Sequence, residues 1–215
     1  MKALPSQPKT APHQPRHLHL RGRYEQTATL VDMDVVRIDH YKWWAIGLAI
    51  ALANSDPDIA GTETLDSAAA IDQLLRAHGA TEVQVSEDDL PHLRRIRPYL
   101  LRAVRDPAPD RAAPLLNHVA AEAGATPRLT NHDDLPWHID FHTPASTAWR
   151  HIAAEAAAAL MGFLIARGPD RIRLCSARDC HRFYADTTKN NSMRYCPDRG
   201  CANRERVRRH RVRNG

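Results

Sequence analysis

Apolar residues return along this chain mainly at helical spacing. Ala68, Ile71, Leu74, Leu75 and His78 form one stripe, which predicts an amphipathic helix over 66–78 that Gly79 stops. Ser86 reads as an N-cap, with Glu87, Asp88 and Asp89 in the first turn, where the helix dipole favours anions. The stripe Leu90, Leu93, Ile96, Leu100, Leu101 and Val104 follows, with Pro98 predicting a kink inside it. The longest helix is expected at about 145–167, with Trp149, Ile152, Ala153, Ala156, Leu160, Phe163 and Leu164 on its core face and Gly168-Pro169 at its end. Two shorter helices are expected, an apolar one at 41–54 and another at 115–123, stopped by Gly124. The turn-rich stretches "SDPDIAG" (55–61) and "RDPAPDRAAP" (105–114) read as loops.

Two regions break the helical period. "ATLVDMDVVRID" (28–39) alternates loosely, as a strand does. In "PRLTNHDDLPWHIDFHT" (127–143) two short extended runs flank a polar turn, which predicts a β-hairpin with its polar residues on the wet face. A single core is expected to bury Leu74, Leu75, Leu93, Ile96, Leu100, Val119, Ile152, Leu160 and Leu164. Abundant Ala and Leu and only 6% aromatic residues also lean toward helix. The expected class is therefore mostly α (α+β). A disordered leader (1–22), rich in Pro, His and Arg, precedes a helical body with a small hairpin (23–170), and a small cysteine module with a basic C-terminal helix (171–215) completes the chain.

Charge sharpens that division. From Arg171 onward there are 13 Lys and Arg against 4 Asp and Glu, a net of +9, while residues 1–170 carry a net of −4. A basic tail on a near-neutral body points to a polyanion such as nucleic acid. The longest apolar run, "WWAIGLAIALA" (43–53), is too short to span a bilayer, and no apolar leader is visible. A cytoplasmic protein without a membrane partner is the expectation.

All four cysteines lie in the last part of the chain, spaced Cys175-x4-Cys180-x15-Cys196-x4-Cys201. Each close pair lets one tight turn supply two sulfurs, and four thiolates complete a tetrahedral zinc shell. A closed four-sulfur shell is structural, because catalytic zinc keeps a position open. Two disulfides would need an oxidising compartment, and four unrelated core cysteines would not come as two x4 pairs in so polar a segment. Four thiolates on Zn²⁺ leave a local charge of −2, which Arg173, Arg178, Arg182 and Arg199 stand near enough in sequence to offset. His181 reads as a surface or supporting residue rather than a ligand.

The cysteine pairs, the segment "FYADTTKNNSMRYC" and the ending "CANRERVRRHR" together resemble the CGNR zinc finger, named for a Cys-Gly-Asn-Arg tetrapeptide. Here it reads Cys201-Ala202-Asn203-Arg204, with alanine in the place of glycine. "ETLDSAAAIDQLL" and "SEDDLPHLRRIRPYLLRAV" resemble the ABATE domain that precedes this finger in bacterial proteins described as stress-induced transcription regulators. The resemblance implies one structural zinc, a DNA-binding regulator, double-stranded DNA as partner, and association with the bacterial nucleoid. Asn203, Arg204, Arg206, Arg208, Arg209, Arg211 and Arg213 are the candidate nucleic-acid contacts. Arg204, Arg208 and Arg211 share one side of the expected helix, and Arg206, Arg209 and Arg213 form a second row. The body would sense a small-molecule ligand or self-associate.

Two other classes compete with the regulator. One is an adaptor whose zinc module binds another protein. The other is a metalloenzyme in which His138, Asp140 and His142, at period two on one strand face, hold iron as a facial triad. Trp43, Trp44, Trp137 and Trp149 read mainly as core, with lining of a ligand pocket as their alternative.

Overall fold

The structure is a computed structural model that describes residues 43–80, 83–131, 137–141, 146–197 and 200–214. The leader, the extended run at 28–39, His142 and Arg199 lie outside the described residues, as do the side chains of Trp43 and Trp44. The described residues all belong to one compact unit, Val36–Gly215.

Among the described residues, seven α-helices and two short antiparallel hairpins follow in the order α1 (Trp43–Asn54), α2 (Pro57–Ala60), α3 (Ala68–Ala77), α4 (Leu90–Arg105), α5 (Pro109–Ala123), β1 (Arg128–Thr130), β2 (His138–Asp140), α6 (Ala148–Arg167), β3 (Ile172–Leu174), β4 (Phe183–Ala185) and α7 (Cys201–Asn214). The architecture is mostly helical, as the stripes predict. The apolar helix α1 and the alanine-rich α6 are buried nearly all round, and α4 and α5 pack against them. Leu75, Leu93, Ile96, Leu100, Val119, Ile152 and Leu160 join one core, with Leu74 and Leu164 half-buried against it.

Local chemistry explains the helix starts. Ser67 accepts the Ala70 amide at 3.2 Å and caps α3. Ser86 donates through both its amide and its hydroxyl to Asp89 Oδ2, each at 2.9 Å. Asp89 Oδ1 accepts the Trp149 amide at 3.0 Å, so one buried carboxylate joins the start of α4 to the start of α6. Trp149 is buried, with the His92 ring stacked on it at 4.5 Å and the Arg150 guanidinium 4.7 Å from its ring centre.

Two loop expectations are corrected. Residues 109–114 are the first turns of α5, because Pro109 occupies the first helical position, where a missing N–H costs nothing, and the helix buries Ala112. Residues 57–60 form the short α2, capped by Asp56, whose side chain accepts the Asp58 amide at 3.1 Å.

The β1–β2 hairpin exists where expected, but its faces are reversed. Leu129 pairs with Ile139 across the strands, and both are exposed, as is the neighbouring Trp137. Asp140 is buried and His138 half-buried on the other face. Period-two alternation separates the faces but does not say which one packs.

The second hairpin, β3–β4, was not evident in the sequence. It packs on α1 and α4, and Ile172 and Phe183 enter the body's core. Asn54, at the end of α1 and fully buried, donates to the Phe183 carbonyl at 2.9 Å and accepts the Phe183 amide at 2.8 Å.

Candidate metal centre and basic helix

The β3–β4 hairpin carries the first cysteine pair. Cys175 follows β3 and its amide donates to the Arg182 carbonyl at 2.9 Å, continuing the hairpin pairing. The turn 175–180 closes with the Cys180 amide on the Ala177 carbonyl at 3.1 Å, so both sulfurs point to one place. Beyond β4, Asp186 organises the loop that returns the chain to Cys196. This fully buried carboxylate accepts the Met193 amide at 2.8 Å, the Thr188 amide at 2.9 Å and the Thr188 hydroxyl. Burial raises its pKa, and the bonds from Thr188 and Met193 outweigh that and hold the carboxyl below its ordinary value. Arg171 and Arg173 donate to backbone carbonyls of the same loop. Tyr184, buried beneath it, donates to the Met193 carbonyl at 2.7 Å.

The second pair brackets the start of α7. Gly200 adopts φ +58°, and its carbonyl accepts the amides of Asn203 and Arg204, both at 3.1 Å, which sets the first turn of the helix at Cys201.

The four sulfurs, all buried, lie within 4.8 Å of one another, and all four cysteines are free. Cys180 and Cys196 Sγ are 3.7 Å apart, and Cys196 and Cys201 Sγ 3.6 Å. A disulfide would be about 2.0 Å. A tetrahedron with Zn–S bonds of about 2.3 Å has sulfur–sulfur edges of about 3.8 Å, so the spacing fits one zinc ion. Burial, then the neighbouring Cys201 and Cys180, push the Cys196 thiol well up, and burial also raises Cys180. At Cys175 burial is outweighed by the amides of Ala177 and Cys196, which lower its thiol. Four thiolates become compatible at this spacing with a divalent cation among them. Arg204 adds a further positive charge, its Nη2 standing 3.0 Å from Cys201 Sγ. Among the described residues these cysteines are the only cluster of three or more metal-ligating side chains. His138 and Asp140 sit on β2 without such a cluster, and His142 lies outside the described residues.

The helix that follows is held by polar contacts. Glu205 accepts the Arg178 amide at 3.3 Å and Arg208 Nη1 at 2.7 Å, and Arg208 Nη2 reaches Asp179 Oδ2 at 2.7 Å. Asp179 is held below the ordinary carboxylate range, chiefly by its bond from Arg208. Arg209 donates to the Tyr195 hydroxyl. Cys201, Glu205 and Arg208 are thus the face of α7 turned to the finger. Sequence reasoning found the cysteines by spacing; it missed Asp179, Asp186, Tyr195 and Glu205, which carry no spacing signal.

Residues 171–214 match the model of the CGNR zinc finger. Residues 47–162, more than half of the chain, match the ABATE model, described as "Putative stress-induced transcription regulator". The chain belongs to the ABATE family. No curated protein matches it. The order of the two matches, ABATE then CGNR finger, is the one the resemblance implied, and the finger's four-cysteine geometry is that of one structural zinc. This ABATE-family chain is thereby a zinc-binding protein of a regulator-like family, and neither match is to an enzyme family. No described helix is long and apolar enough to cross a membrane. The alanine that replaces the CGNR glycine, Ala202, is the second residue of α7 and exposed, where alanine favours the helix.

The seven candidate nucleic-acid contacts all lie on α7, but not as two equivalent rows. Arg204 stands on a sulfur and Arg208 in the Asp179–Glu205 ion pairs. Arg206 donates to Asn203 Oδ1 at 2.8 Å, Arg209 is on Tyr195, and Arg211 and Arg213 are exposed near the helix end.

Proposed function

We propose that this chain is a transcriptional regulator that binds double-stranded DNA through α7, in a finger whose zinc is held by Cys175, Cys180, Cys196 and Cys201. One observation carries the reading. The only carboxylate of α7, Glu205, is turned into the finger, its side chain 15% exposed, while Arg206, Arg209, His210, Arg211 and Arg213 remain on exposed positions. Like charges at this density repel along a helix, and phosphates would relieve that repulsion. A cytoplasmic, nucleoid-associated location follows from this reading.

The outward apolar face of the β1–β2 hairpin, with Leu129 70% and Trp137 67% exposed, supports protein contact or self-association by the body ahead of ligand sensing. It equally favours an adaptor as the second reading, although there the contact lies on the body and not on the zinc module.

The test is a salt titration of duplex binding by the full chain. The regulator reading expects affinity to fall linearly on a log–log plot against salt, and to vanish after zinc chelation. No binding to any duplex at low salt would leave the adaptor reading in its place.

A further inference from the structure

At about 100° per residue, Cys201, Glu205 and Arg208 share the side of α7 that faces the finger, and Asn203, Arg206 and His210 fall on the opposite side. That outer strip is exposed at each of the three positions. Arg204 and Arg211 lie on one flank of it, and Arg209 and Arg213 on the other. The first three arginines therefore differ in what they can reach. The Arg204 guanidinium is directed at Cys201 Sγ, 3.0 Å away, and the Arg208 guanidinium is spanned by two carboxylates at 2.7 Å each. Arg206 points away from the finger. Its Nη2 donates to Asn203 Oδ1 at 2.8 Å, one helical turn back on the same strip.

An exposed arginine fork braced by an amide one turn earlier has the form of a guanine reader. Bidentate donation to O6 and N7 needs a planar fork held in one orientation, because an unbraced arginine loses more rotamer entropy on docking. Asn203 supplies the brace through its side-chain oxygen and keeps its own amide group as a donor. The outer strip from Asn203 to His210 is about 10 Å long, the rise of about three base pairs. Arg211 on one flank and Arg213 on the other would meet the phosphates of the two strands bordering a major groove.

Resting on the DNA-binding reading, we infer that Arg206, positioned by Asn203, is the residue through which α7 reads a guanine in the major groove, while Arg204 and Arg208 belong to the finger's own architecture. Arg211 and Arg213 supply phosphate contacts that carry no sequence preference.

The experiment selects bound fragments from a random-sequence duplex pool with the zinc-loaded full chain and reads the enriched motif by sequencing. The parent is expected to enrich a short motif containing a required guanine. Arg206→Ala should lower the preference for that guanine about tenfold or more and leave the other positions in place. Asn203→Ala should blur the same position less. Arg206→Lys should keep part of the preference. Arg208→Ala, checked for retained zinc, should keep the motif and the parent's salt slope, whereas Arg211→Ala should keep the motif and lower the slope by about one unit. Should Arg208→Ala lose zinc, Arg208→Lys replaces it in the same comparison. An unchanged motif in Arg206→Ala, or parent binding without sequence preference, overturns the assignment and leaves DNA binding standing. A parent that enriches no duplex at all overturns both.

Discussion

Asn54 and Phe183 exchange two hydrogen bonds, the Asn54 amide group on the Phe183 carbonyl at 2.9 Å and the Phe183 amide on Asn54 Oδ1 at 2.8 Å, across 129 residues of chain. The last residue of α1 thus acts as a short strand partner for the edge of the finger's hairpin. The Phe183 side chain enters the body's core beside these bonds. Asn54→Ala would leave the buried amide and carbonyl of Phe183 unpaired and is expected to cost about 1–3 kcal/mol. Urea denaturation of the variant measures it, and a change under about half a kcal/mol would show that water takes over both bonds.

Zinc removal should be felt beyond the finger. Because Ile172 and Phe183 are core residues of the body, a finger that unravels takes apolar surface away from α1 and α4. Replacing Cys196 by Ser should bring zinc well below one ion per chain by elemental analysis. It should also lower the melting temperature of the helical signal as a whole, since structural zinc contributes on the order of 10–16 kcal/mol in small finger peptides. A helical melt unchanged in that variant would mean the two parts unfold separately.

Acid should weaken the body through Glu63. Arg97, buried in α4, donates to both Glu63 oxygens at 2.7 and 2.8 Å and lies 3.4 Å from Asp56. The bond from Arg97 is the largest influence on Glu63 and lowers its pKa from 4.5 to about 2, against the opposing effect of burial. A depressed folded-state pKa means stability that is present above 4.5 and is lost as pH falls toward 2. Stability measured against pH should decline over that window in the parent, and Glu63→Gln should remove that part of the slope. Arg97→Ala, which leaves carboxylates beside a buried void, should cost about 3–5 kcal/mol at neutral pH.

Leu160 lies at the centre of α6 and is fully buried. Leu160→Ala is expected to cost about 2–5 kcal/mol by thermal or chemical denaturation. A loss below about half a kcal/mol would show that the site collapses around the smaller side chain.

The helical body was legible because its stripes are long and strongly periodic. Leu93, Ile96 and Leu100 announce the buried face of α4 before any partner is known, and the paired cysteines announce the metal centre by spacing alone. What stayed hidden depended on partners distant in the chain. Nothing near Leu129 or Ile139 says that their face of the hairpin points outward, since period two is satisfied either way. The row Arg204, Arg208 and Arg211 is correct as helical geometry, but Asp179, 29 residues before Arg208, decides that this arginine turns inward. The early start of α5 was masked by Pro109 and Pro114, residues that mark loops in general and helix starts in particular.

Gly200 carries a further consequence. The positive φ that the second cysteine turn requires falls on this residue, at +58°, and Ala202 sits in ordinary helix. The backbone of this chain therefore makes no demand for glycine at position 202, and alanine there favours the helix. The residue before the last cysteine has no such freedom, because a β-branched side chain there would strain the backbone just where two sulfurs must converge. The left-handed conformation is thus demanded one residue before Cys201, and not within the tetrapeptide Cys201 to Arg204 itself.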